Sequence, residues 1–386
     1  MASSRDTLAE LNTVTDNALA LADQLEAVVS SIAAHNPSTA STASKSQLVA
    51  EPVVAVNSSN IDALSLAHDS AALIKAHATK ISLLIINEPF TPTAIAKVLR
   101  ELVASPVPSL TAAVELCTPR QYTQIIQQDV AWRAGRVLKE LKELLLRIPK
   151  DGRVLSDAKK DASSGAVGGR GSIATTGVLW SACDDLMAFA KRGFAGNLAY
   201  KVEQLRDTLK DVMEELKEWG DEEDDEDGDD AEGDDDVDDT HGAETNDAQA
   251  ILDGLMGSQR HIPRDDPEQI RQRLDSCLRR LRLTTLLYQA TVKRRIKPLP
   301  SLPRDSSSDI PARLDEVVSV LNGIPDKFGS LAMAFYELDT SEIDRLMDEC
   351  FFDAFAASEL LVKPWEGGKD EFSDWALRFQ LEIKKG

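Results

Sequence analysis

Apolar residues recur along this chain at alternating steps of three and four, and that spacing restricts its fold more than any other feature. Leu8, Leu11, Thr15, Ala18, Ala22, Leu25, Val29 and Ile32 fall on one face of a helix with 3.6 residues per turn. Asn36-Pro37 ends that helix, because proline disfavours helical geometry in the residue before it. A second seam runs through Ile61, Leu64, Ala67, Ala71, Ile74, Ala78, Ile81 and Ile85, with Asn60 as its expected cap and Asn87-Glu88-Pro89 as its end. Thr91-Pro92 opens a third helix in the cap-then-proline order, which Pro106 and Pro108 interrupt. A fourth begins at Pro119 and carries Val130, Ala134, Val137, Leu141, Leu144 and Ile148. Helices of this length pack side by side.

The remaining helices follow the same rule. A fifth is expected over about 176–192, and Gly193 and Gly196 separate it from a sixth with the seam Leu198, Val202, Leu205, Leu209, Val212, Leu216 and Trp219, stopped by Gly220. Pro267 opens a helix with Ile270, Leu274, Cys277, Leu281 and Tyr288 on one side, and Pro298, Pro300 and Pro303 end it. Three more stretches are expected: 311–336 with a kink at Gly323 and Pro325, 341–361, and 370–385. No region reads as a sheet; a strand at 53–56 has only a weak signal.

The fold class is therefore all-α: two bundles of long antiparallel helices joined by an acidic disordered segment. The expected domains are 1–219, with flexible linkers at 36–59 and 149–174 and an alternative boundary near 193–196; an acidic disordered linker at 220–262; and a second bundle at 263–386. The linkers are recognised by Gly, Ser and charge without a periodic apolar face.

The net charge of −22 is concentrated: residues 221–239 hold 15 Asp or Glu in 19 positions, leaving −7 for the rest. An acidic surface repels the phosphate backbone, so direct nucleic-acid binding is not expected. Asp221, Glu222, Glu223, Asp224, Asp225, Glu226, Asp227, Asp234, Asp235 and Asp236 are read either as a solvating loop or as a lure for basic partners. The opposite block is the basic helix, +8 between Ile270 and Lys297, with Arg279, Arg280, Arg282, Lys293, Arg294 and Arg295 as candidate partner contacts. Lys293-Arg294-Arg295-Ile296-Lys297 has the look of a short nuclear-import cluster, but cations also suit a helix C-terminus.

Catalysis is not expected. The five histidines form no HExxH or Glu-x-x-His pair, there is no GxGxxG or Walker loop, and Cys117, Cys183, Cys277 and Cys350 contain no CxxC pair, so neither metal nor cofactor is expected. Scattered cysteines are those of buried thiols in a reducing compartment. No aliphatic run approaches the ~20 residues needed to cross a bilayer. The expectation is a cytoplasmic and nuclear protein.

The order of features, with Thr176-Gly177-Val178-Leu179-Trp180-Ser181-Ala182-Cys183-Asp184, then Leu209-Lys210-Asp211-Val212-Met213-Glu214-Glu215-Leu216, then the acidic stretch, resembles the cyclin-D-interacting (GCIP-like) family, most firmly over residues 177–219. Physically, Trp180 and Cys183 lie three apart on one helix face and read as core. The resemblance implies a two-part, all-helical, non-catalytic protein of nucleus and cytoplasm that acts as an inhibitory partner of cyclin D and of helix-loop-helix transcription factors. Two rivals belong to other classes: an acidic chaperone shielding basic clients such as histones, and an adhesion-type scaffold resembling vinculin and catenin bundles.

Overall fold

The computed structural model describes residues 4–34, 62–156, 160, 171–221, 261–299, 309–365 and 367–385. The expected linker at 36–59, the strand at 53–56 and most of the acidic segment lie outside these residues. Among the described residues there are helices and no strands, so the chain is all-α. The helices are α1 (Ser4–Ala33), α2 (Ala63–Ile86), α3 (Pro92–Ala104), α4 (Pro106–Leu116), the single turn α5 (Pro119–Tyr122), α6 (Gln124–Leu145), α7 (Ser172–Asp221), α8 (Ile270–Thr291), α9 (Ile310–Glu337), α10 (Thr340–Val362) and α11 (Glu371–Ile383).

Two compact units divide the chain: Met1–Asn197 with Ser301–Asp315, and Leu198–Pro300 with Glu316–Gly386. The division falls within α7, four residues past Gly193, whose φ of 71° and ψ of −179° break the helix. Glycine alone adopts that backbone without strain. The seam from Leu198 to Trp219 packs in the second unit, in keeping with the alternative boundary near 193–196. There Trp219 meets Tyr336 edge-on at 5.4 Å, and Tyr336 donates to Glu215 at 2.9 Å. At the end of α7 a side chain on Gly220 would place its Cβ 2.3 Å from Leu274 Cδ2, so the glycine permits close approach of α8.

In the first unit α1 packs on α6 and α3, and α2 on α4 and α3. The seams supply the interfaces. Leu11, Thr15, Ala18, Ala22 and Val29 of α1 are buried, as are Leu64, Ala67, Ala71, Ile74, Ala78, Ile81 and Ile85 of α2. The alanines let helix backbones approach, while each buried Ile or Leu contributes roughly 1.5–3 kcal/mol.

The start of α2 differs from expectation, since the cap is Asp62 rather than Asn60, which lies outside the described residues. The Asp62 carboxylate accepts from Ser65 N at 2.9 Å, Ser65 Oγ at 2.5 Å and the Tyr122 hydroxyl at 2.7 Å, and Tyr122 Oη accepts from Ala63 N at 3.1 Å. Burial opposes ionisation of Asp62, but the bonds from Ser65 and Tyr122 outweigh it and hold its pKa below the ordinary value. Asp62→Ala is expected to lower stability by about 1–2 kcal/mol in urea melts at neutral pH. Because the folded value lies below the unfolded one, the difference between wild type and variant shrinks as pH falls below about 4.

A second difference lies in the expected mobile loop at 149–174. Its first residues are docked: Leu155 is buried, and its N donates to Ile85 O at 2.9 Å, satisfying a carbonyl at the end of α2. Val154 and Leu155 alone make too short an apolar run to show periodicity. Pro119 also opens only one turn, because Thr123 has φ 81° before α6 begins and its hydroxyl caps Ile126 N.

In the second unit α8 packs on α10 and α11. It begins at Ile270 rather than Pro267: Gln269 is left-handed, and the Asp266 carboxylate accepts from Ile270 N at 2.7 Å and Arg271 N at 2.9 Å. The kink expected at Gly323 and Pro325 does not interrupt α9, which runs through both. Leu321, Ile324 and Phe328 are fully buried around the proline, and their burial offsets the ~3 kcal/mol typical of an interior proline.

Candidate protein interaction surfaces

On the first unit, the Trp180 and Cys183 pair separates. Cys183 is fully buried, whereas Trp180 is 38% exposed, which corrects the expectation that both are core. Three residues turn a helix by about 300°, and that 60° offset suffices to carry Trp180 to the rim of the α2–α7 contact. Its Nε1–H donates to Thr79 Oγ1 at 3.1 Å. Lys75 Nζ lies 6.0 Å from the ring centroid and bonds both Asp184 oxygens at 2.6 and 2.7 Å. Ile173, Gly177, Trp180 and Asp184 form one outward stripe of α7, and Leu73 and Leu83 of α2 are about half exposed as well. On α6, Trp132 is 57% exposed with the Arg133 guanidinium 5.7 Å from its ring. Such exposed aromatics give binding surface at low conformational cost.

The four cysteines are all free and buried. Burial pushes each thiol up, to about 12 at Cys183 and Cys350. Thiol reagents at pH 8 are therefore expected to leave the native protein unlabelled and to modify all four residues only in denaturant. Rapid native labelling, read by mass spectrometry, would contradict the packing.

On the second unit the six basic candidates do not form one face. Arg279 is exposed and donates to Lys385 O at 3.2 Å, Arg282 and Lys293 are exposed, and Arg294 pairs with Glu371 at 3.0 Å. Arg280 and Arg295 are buried, 9% and 1% exposed, and so do not stand on an open basic face. Arg295 sits in a π-helical turn, Val292–Ile296, that continues α8. Its guanidinium donates to Leu361 O at 2.8 Å, Val362 O at 3.2 Å and both oxygens of Asp370 at 2.6 and 3.0 Å. The positive charge thus serves a helix C-terminus, but that of α10 rather than its own. Asp370 in turn caps α11 through Ser373 N at 2.9 Å. Arg295 holds the Asp370 carboxyl well below the usual range, against the opposing effect of burial and with help from the Ser373 bonds.

Arg280 has a different environment. Its guanidinium lies 3.8 Å from the centroid of Phe351, and its Nε has no hydrogen-bond partner. Burial lowers its pKa, with Asp348 acting in the opposite sense.

A groove of about 500 Å³ runs between α8 and α11, lined by Leu286, Gln289, Ala290, Lys293, Arg294, Phe372, Trp375 and Arg378 among others. Trp375 is held between Phe372 and Phe379, each 5.4 Å away, and Leu377 and Leu381 lie exposed on α11.

Asp221 is the exposed last residue of α7. Glu222, Glu223, Asp224, Asp225, Glu226, Asp227, Asp234, Asp235 and Asp236 lie outside the described residues. Among the described residues, no group of three or more His, Cys, Asp or Glu could hold a metal ion, and no helix is long and apolar enough to cross a membrane.

The sequence reading missed the Asp370 cap, the Trp365 indole that donates to Arg295 O at 2.6 Å, and the Lys75–Trp180–Asp184 cluster. Asp370 had a legible signal, an N-cap Asp three residues before Ser373 with Glu371 and Asp374 in the first turn. The others depend on contacts more than 60 residues apart.

Residues 67–222 match the family model described as Grap2 and cyclin-D-interacting, N-terminal. An uncharacterised protein of Schizosaccharomyces pombe is 28% identical over 235 residues, 61% of this chain and 62% of its own length. This chain therefore spans less than two thirds of that relative.

Proposed function

Taking the chain as GCIP-like over residues 67–222, we propose that it is a non-enzymatic helical adaptor that binds partner proteins in nucleus and cytoplasm, with a cyclin or a helix-loop-helix factor as the partner class. The observation that carries this reading is the coincidence of the family match with the surface built by Trp180, Lys75, Thr79 and Asp184. An aromatic rim braced by a hydrogen bond and an ion pair suits recognition of another protein, because little side-chain entropy is left to lose on binding.

The test is capture of a purified D-type cyclin or helix-loop-helix factor by the full chain at low and high salt. Trp180→Ala is expected to weaken capture by roughly tenfold or more, within the range of a binding hot spot. Its stability should change little, since the ring is part exposed. Unchanged capture by Trp180→Ala would remove this surface from the reading.

The second reading, an acidic chaperone for basic clients such as histones, is favoured by one observation, the 15 acidic residues within 221–239. Salt separates the two. Contacts among exposed charges are screened within about 8 Å at physiological ionic strength, so histone binding by that run is lost as salt rises, whereas capture through Trp180 persists.

A further inference from the structure

We propose that the cleft between α8 and α10 is a carboxylate site that takes an acidic side chain from a partner protein. The cleft has a volume of about 450 Å³ and is lined by Gln269, Gln272, Arg273, Ser276 and Arg280 from one helix and Asp344, Met347 and Asp348 from the other. Two buried polar atoms on its α8 side, Arg280 Nε and Ser276 Oγ, have no hydrogen-bond partner. Buried polar groups are otherwise bonded in folded proteins, and an unpaired buried guanidinium is costly, so this pair marks a place for an acceptor.

The spacing supports the assignment. Ser276 and Arg280 are four residues apart on α8 and line the same cleft, and the guanidinium lies 3.8 Å from the Phe351 ring centroid. A planar guanidinium offers parallel N–H donors to a carboxylate, and the serine hydroxyl supplies one more. Arg273 does not compete, because Asp344 already takes it at 2.8 and 2.9 Å.

The four charged side chains of the lining, Arg273 and Arg280 against Asp344 and Asp348, sum to zero, so the guanidinium geometry and not net charge selects a carboxylate. A single negative charge is accommodated beside the Asp348 carboxylate, whereas a phosphate dianion meets stronger repulsion. The site lies outside residues 67–222, so it stands or falls independently of the cyclin reading.

The experiment follows the Arg280 Nε–H resonance by NMR in the full chain. Three probes are titrated: a short neutral-backbone peptide carrying glutamate, its glutamine counterpart, and inorganic phosphate. A saturable shift with the glutamate peptide, none with the glutamine peptide and a weaker response to phosphate are expected. Arg280→Gln should weaken binding of the glutamate peptide at least about tenfold and Ser276→Ala about three- to tenfold, with Asp348→Asn strengthening it. Ser276→Ala keeps the test valid should Arg280→Gln fail to fold.

The proposal is overturned by an absent shift, by equal shifts with both peptides, by tighter binding of phosphate, or by unchanged affinity in Ser276→Ala. It is equally overturned if Asp348→Asn moves the resonance in the peptide-free protein as far as saturating peptide does, since Arg280 is then paired internally. Removal of residues 222–239 is the last control: if that alone moves the peptide-free resonance, the occupant is the chain's own acidic run and not a partner.

Discussion

Replacing Arg295 by alanine is expected to destabilise the second unit by about 3 kcal/mol, set by the unmet buried hydrogen bonds more than by the charge pair, since Asp370 is 41% exposed. The side chain is 1% exposed and satisfies Leu361 O, Val362 O and both Asp370 oxygens. Its loss strands two carbonyls at the end of α10 and leaves the α11 cap without its countercharge. Arg295→Lys rescues little, because an ammonium cannot reach two carbonyls and a carboxylate in one plane. The pH dependence gives a second signature. Asp370 is depressed below its ordinary 3.8 in the folded state, so wild-type stability from this pair is complete above about pH 5 and declines as pH falls. Arg295→Ala flattens that acid limb. Urea unfolding at several pH values, followed by circular dichroism, measures both effects, and a neutral-pH loss below about 1 kcal/mol contradicts the buried network.

Phe351→Ala is expected to cost ~3–5 kcal/mol, through lost burial and the cavity left behind. The ring is 2% exposed, meets Phe328 edge-on at 5.6 Å and lies 3.8 Å from the Arg280 guanidinium. A double-mutant cycle of Phe351→Leu with Arg280→Met isolates the ring–cation part. A coupling of about 1–2 kcal/mol is expected for a desolvated guanidinium. Coupling near zero means that Arg280 does not rest on the ring in solution, and the geometry of the carboxylate site goes with it.

Helices, seams and breaks were legible in the sequence because each is a local property. The run Leu64, Ala67, Ala71, Ile74, Ala78, Ile81 and Ile85 marks a buried face by period alone, and every one of these residues is buried. Gly193 marks a break because its φ of 71° with ψ of −179° is a backbone region open essentially to glycine alone. The end of α2 was likewise given by Asn87-Glu88-Pro89, since proline restricts the residue ahead of it.

What the tertiary structure decided is where polar groups of neighbouring residues go. Arg294 and Arg295 are identical as letters and adjacent, yet one is paired at the surface with Glu371 and the other is enclosed by the α10–α11 connection. The turn of the helix points them in different directions, but only the carbonyls of Leu361 and Val362, more than 60 residues away, give the inward one a reason to be charged. The same holds for Arg280, whose place over Phe351 no period predicts, and for Trp180, carried by a small angular offset from core to rim. Short-range spacing determines which face of a helix is apolar, whereas burial of a charge depends on acceptors that the fold brings in from distant parts of the chain.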